Sequence, residues 1–132
     1  MKAIDKRLDD LWSVLVKLRA GNKCEIKNCQ KTEPLNSHHV YSRAKKSVRW
    51  CVENGYCLCV GHHIGTKFSA HKTPNDFSEW SKQDRGQEWF DLLQAKAHTI
   101  SKLHPFEKKI LADELQKEIA DITLETLSEV LR

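Results

Sequence analysis

Between Cys24 and His71 the chain gathers residues that bind metals and move protons: Cys24, Cys29, His38, His39, Asn54, Cys59, His62, His63 and His71. Cys24 and Cys29 can wrap a tight turn whose thiolates converge on one ion, although two buried free thiols would space the same way. Cys59-Val60-Gly61-His62 supplies a second pair, and Cys24, Cys29, Cys59 and His62 together make a Cys₃His tetrahedron of the closed, structural zinc type. The chain has 5 cysteines, an odd number that full disulfide pairing cannot use, so metal ligation is the better account. Cys57 is assigned to the core and Cys51 to a structural role.

The histidine doublets allow a second centre. A strand over Ser37–Tyr41 points His38 and His39 to opposite faces, so one can ligate while its neighbour faces a substrate. On a helix His63 points about 100° from His62, free of the zinc that His62 holds. A base that accepts a proton cannot spend the same lone pair on a metal, which gives adjacent histidines on opposite faces distinct uses.

The surrounding elements must position these groups. Residues 3–20 read as an amphipathic helix with Ile4, Leu8, Leu11, Leu15 and Leu18 on one face and Trp12 beside them; it is taken as core packing without a chemical role. Gly21-Asn22 ends it. Asn54-Gly55 carries a tight-hairpin signal before a strand through Tyr56 and Leu58. Arg43, Lys45, Lys46 and Arg49, closed by Trp50, form a basic loop suited to a phosphate backbone, though a solvated face would look alike. Helices are expected from about Asn75, over Gln87–Ser101, and from Pro105 to about Leu131.

Charge divides along the chain. Residues 1–74 hold 14 Lys/Arg against 6 Asp/Glu, and residues 75–132 hold 8 against 12. The basic half is the half with the ligands, which points to an anionic partner. The acidic last helix would repel such a partner and is placed away from it, as a lid on the core or a surface for a protein partner or a second copy. No apolar run reaches membrane-spanning length, and Met1–Asp10 has no apolar signal region, so a cytoplasmic protein is expected.

His39, Asn54 fifteen positions on, and His63 nine further resemble the HNH endonucleases, with N-x₄-C over Asn54–Cys59 and C-x-x-H-H where many members have C-x-x-C-H. The basic loop and the following PNDFSEW are similar to small phage-encoded HNH proteins of the NinG type. The resemblance implies an α+β, mostly helical fold: a ββα-metal finger with a zinc knuckle in residues 1–74, and a helical extension over 75–132. It implies hydrolysis of DNA phosphodiester bonds with low sequence specificity. His39 would be the general base, His38 and His63 the ligands of a catalytic ion (Mg²⁺, Mn²⁺, Ni²⁺ or Zn²⁺), and Asn54 the brace that orients His39. The family's further ligand falls on Lys67, which cannot ligate while protonated. His71 is the substitute if the helix continues past Gly65; otherwise it is an exposed loop histidine. The alternatives are a noncatalytic zinc-binding module for nucleic acid or protein, and a nuclease latent until a partner binds.

Overall fold

The computed structural model describes all 132 residues. Its first helix, α1 (Ala3–Arg19), buries Leu8, Trp12, Leu15 and Val16, the stripe expected of one amphipathic face. Gly21 and Asn22 end it at φ 73° and 56°. Two strands follow, β1 (Leu35–His39) and β2 (Gly55–Cys59), paired antiparallel with His39 opposite Gly55 and Leu35 opposite Cys59. They are joined by the residues 40–54, so Asn54-Gly55 is not a hairpin turn. Asn54 ends a single 3₁₀ turn, Val52–Asn54, that leads into β2. Gly55 is there for clearance: a Cβ on it would collide with Val16 and stand 2.9 Å from Trp12 Cζ2. A short π-helical turn, Gly61–Gly65, follows β2.

The remaining helices are α2 (Pro74–Arg85), α3 (Gln87–Ala97) and α4 (Pro105–Val130). Helix α2 opens with Pro74 in its first turn, where a missing N–H is harmless. Helix α3 stops at Ala97, short of Ser101. There the His98 ring and the Thr99 hydroxyl bond to the carbonyls of Gln94 and Lys96 and close the last turn. The fold is therefore α+β and mostly helical.

The sheet is covered on both faces. On one, Trp12 and Val16 pack with Cys57 in a core that also takes Ala112 and Leu115 of α4. On the other, Tyr56 and Leu58 pack with Phe77 of α2. Helix α3 closes the loop before the 3₁₀ turn by packing Leu93 and Ala97 on Val48. Residues 75–132 thus share the cores of the first half. No helix is long and apolar enough to cross a membrane.

Candidate metal centres and the histidine cleft

Cys24, Cys29, Cys59 and His62 converge, with their ligand atoms all within 4.8 Å of one another. A tetrahedral ion with Zn–S about 2.3 Å and Zn–N about 2.0–2.1 Å requires S···S edges of about 3.8 Å and S···N edges of about 3.5 Å. Cys29 Sγ lies 3.8 Å from Cys59 Sγ, and His62 Nδ1 lies 3.5 Å from Cys24 Sγ and 3.3 Å from Cys59 Sγ. These residues fit zinc. The His62 backbone N–H points at Cys59 Sγ at 3.5 Å, in the tight turn such a site needs. Burial pushes the Cys24 thiol up to about 12, so a thiolate there needs a cation beside it. Cys57, raised by burial to about 11, is a neutral core thiol.

His38, His63 and His71 form a second group of the same compactness. His63 Nε2 and His71 Nε2 are 3.1 Å apart. Two imidazole nitrogens on one ion at about 2.1 Å stand about 3.0 Å apart at right angles and about 3.4 Å apart tetrahedrally. A single N–H···N bond would also suit 3.1 Å, but such a bond does not require a third imidazole. The His38 ring centroid stands 5.2 Å from those of both His63 and His71. Burial lowers the His38 pKa to about 3, helped by the charges His63, His71 and His39 would carry. Burial and His71 also lower His63. The lone pairs of both are therefore free at neutral pH. His63 Nδ1 is buried without a hydrogen-bond partner.

His71 does not arrive by a continued helix. The turn stops at Gly65 and the chain folds back, with Ala70 N–H donating to His62 O at 2.9 Å and His71 N–H to His63 O at 3.0 Å. Lys67 stays exposed outside the group.

His39 leaves β1 on the opposite face. Its ring stacks on Trp12, with centroids 3.7 Å apart and planes within 9°. Its Nε2 is 2.9 Å from the Arg49 carbonyl. A carbonyl only accepts, so Nε2 carries the proton and Nδ1 the free lone pair. Burial holds the imidazole below its ordinary pKa, against the raising effect of that carbonyl and of Asp9.

Asn54 is fully buried and braces the loop that presents this carbonyl. Its Oδ1 accepts from Tyr41 N–H at 2.7 Å, and its Nδ2 donates to Tyr41 O at 2.9 Å and Val48 O at 3.1 Å. Arg49 is held by Asp9 through Nε at 3.0 Å and Nη2 at 2.7 Å. Asp9 also accepts from Trp50 Nε1 at 2.8 Å. That leaves Arg43, Lys45 and Lys46 as the exposed cations of the loop.

No family model matches the chain, and no curated protein or solved structure matches it.

His38, His39, His63 and His71 line one open cleft of about 450 Å³, with Asp9, Trp12 and Arg43 among its other walls. Helix α1 is therefore more than packing. It supplies the stacking partner of His39, the carboxylate that holds Arg49, and Ser13, whose hydroxyl lies 3.1 Å from that of Ser37. The periodicity of α1 marks Trp12 as buried, but nothing in it says that the indole meets an imidazole. Asp9, on the half-buried flank, carries no sequence signal at all.

Proposed function

We propose that the chain is a divalent-metal-dependent endonuclease of the HNH kind that hydrolyses DNA phosphodiester bonds. In this reading β1, β2 and the turn Gly61–Gly65 are its ββα-metal finger, and Cys24, Cys29, Cys59 and His62 are its zinc knuckle. The observation that carries the reading is His39. It is a neutral imidazole with Nε2–H tied to the Arg49 carbonyl and Nδ1 unspent, in the same cleft as the three histidines.

His38, His63 and His71 would hold the catalytic ion, which when bound polarises the phosphate and stabilises charge on the departing 3′-oxygen. Three neutral imidazoles would leave the ion its full charge, and they suit Zn²⁺, Ni²⁺ and Mn²⁺, while Mg²⁺ would draw more on oxygen ligands. His39 Nδ1 takes the proton of the attacking water. The Nε2–H bond to Arg49 stabilises the imidazolium that results, and Trp12 keeps the ring in its plane. Arg43, exposed at the rim, pairs with the substrate phosphate. Contacts to phosphate carry no base code, so cleavage of low sequence specificity is expected.

The test is incubation of the pure chain with supercoiled plasmid and Mg²⁺, Mn²⁺ or Ni²⁺. Nicking is expected, and His39→Ala should lower it by about 10²- to 10⁴-fold with an unchanged circular dichroism spectrum. An unmutated chain indistinguishable from His39→Ala would instead mark a noncatalytic zinc-binding module. A second reading, a nuclease latent until a protein or a second copy docks, draws on Leu124, Leu127, Val130 and Leu131. All four lie near the end of α4 with 52–83% of each residue open to solvent. Activity that appears only with a partner, and disappears with Leu124→Asp/Leu127→Asp, would favour it.

A further inference from the structure

A second hollow, of about 390 Å³, lies beside the histidine cleft, between the start of α1, the basic loop, residues 100–103 and the start of α4. Lys2, Lys46, Lys102 and Lys108 reach it from four separate parts of the chain, and Trp50 forms part of its wall. Among its lining residues only Asp5 is acidic, and it is taken by Lys108 at 2.8 Å, with both side chains largely covered. Lys2, Lys46 and Lys102 are exposed and have no ion pair.

A solvated lysine face is convex and spreads its charges. Here three lysines without an ion pair border one concavity, an arrangement that raises the local concentration of anions. The hollow and the cleft also share one wall. The Asp9–Arg49 pair separates them, Asp9 lining the cleft and Arg49 the hollow. Likewise Arg43 belongs to the cleft and Lys46, in the same loop, to the hollow. Asp5 and Trp12 mark the two sites along α1. Seven residues at 1.5 Å put them about 10 Å apart along the helix axis, close enough for phosphates of one strand to reach both sites.

We infer that this hollow binds a backbone phosphate of the nucleic acid on the same strand as the scissile bond and close to it. The inference rests on the nuclease reading for what occupies the cleft, and it gives the strand a direction: from the histidines, over the Asp9–Arg49 pair, toward the start of α4. The hollow beside Trp89 on the far side has no spare cation for a phosphate, since Glu53 and Glu25 pair with its Arg19 and Arg85.

The test is the binding of a fluorescein-labelled 12-nucleotide DNA to the full chain carrying His39→Ala, followed by anisotropy across a salt series. Adding Lys46→Glu and Lys102→Glu should weaken binding at least tenfold and flatten the slope of log affinity against log salt by about 0.7, the single-strand value for one phosphate no longer neutralised. Lys117→Glu, on an exposed part of α4 outside the hollow, should change neither. Circular dichroism of each variant shows whether it is folded. Binding unaffected by the double reversal, in a chain whose unmutated form nicks plasmid, overturns the hollow and leaves the nuclease reading standing. Binding abolished by the reversal, in a chain that never cuts, keeps the hollow and overturns the nuclease. A parent chain that binds no DNA even at low salt overturns the inference.

Discussion

The imidazole of His39 lies flat on the indole of Trp12, 3.7 Å between centroids, and that indole is itself anchored by its Nε1–H to the Cys51 carbonyl at 2.7 Å. Stack and anchor together leave the ring one orientation, with Nε2 on Arg49 O and Nδ1 toward the cleft. In the nuclease reading Trp12 acts through His39 and is a positioning residue. Trp12→Phe keeps an aromatic face and gives up the anchor, costing about 1 kcal/mol of stability with most turnover retained. Trp12→Leu removes the stack and should lower kcat at least tenfold with KM nearly unchanged. Single-turnover nicking beside a thermal melt separates the two effects, and equal kcat values for Phe and Leu would refute the positioning role.

Gly55 tests the same neighbourhood from beneath. Gly55→Ala drives a Cβ into Val16 and Trp12, an overpacking that costs about 1–3 kcal/mol. Trimming Val16 to Ala in the same chain should return part of the loss, a coupling of at least about 0.5 kcal/mol in a double-mutant cycle read by urea unfolding. Strict additivity would mean that the clash is relieved some other way.

Asp9 gives the fold an acid-sensitive bond. Burial alone would raise its carboxyl, but the Arg49 and Trp50 hydrogen bonds and the Arg49 and Arg43 charges outweigh this and hold it below 3.8. A depressed folded pKa stabilises the protein above the unfolded value and is lost as pH falls through the folded one. Asp9→Asn should therefore be less stable than the unmutated chain near pH 7, and the gap should close below about pH 3.8. Urea unfolding of both chains from pH 7 to pH 2.5 checks this, and a gap that stays constant with pH would refute it.

The two ligand groups should separate by mutation. A structural zinc contributes on the order of 10 kcal/mol to folding, comparable to the whole stability of a small domain. Cys24→Ser should thus abolish both the tightly held zinc and the cooperative melt. His71→Ala should keep the zinc and the melt while weakening an exchangeable Mn²⁺ at least tenfold. Elemental analysis after dialysis, with Mn²⁺ titration, distinguishes them. A Cys24→Ser chain that melts normally would rule out the knuckle.

Much of this is legible in the sequence where a site depends on local spacing. Cys24 with Cys29, and Cys59 with His62, each turn on a few residues, so their convergence can be read from the chain. The opposite faces of His38 and His39 follow from the pleat alone. His71 cannot be placed that way, because its position depends on a chain reversal after Gly65 sealed by two backbone bonds. Asn54-Gly55 reads as turn chemistry because the dipeptide is common there, whereas this glycine answers to Val16 across the core. Asp9 and Trp12 are invisible as site residues for a related reason. Periodicity tells which face of a helix is covered, not what covers it.

His62 and His63 are joined by one peptide bond, and the segment that brings His71 home is stitched to the carbonyls of both. If each holds its own ion, the two sites share one stretch of backbone, and linkage requires that whatever factor one ion contributes to its neighbour's affinity be returned equally. The cysteine-held ion would then help frame the histidine site, and the histidine-held ion would steady the knuckle in return. In the nuclease reading, a chain stripped of its zinc would lose the reaction with every ligand of the second ion still present.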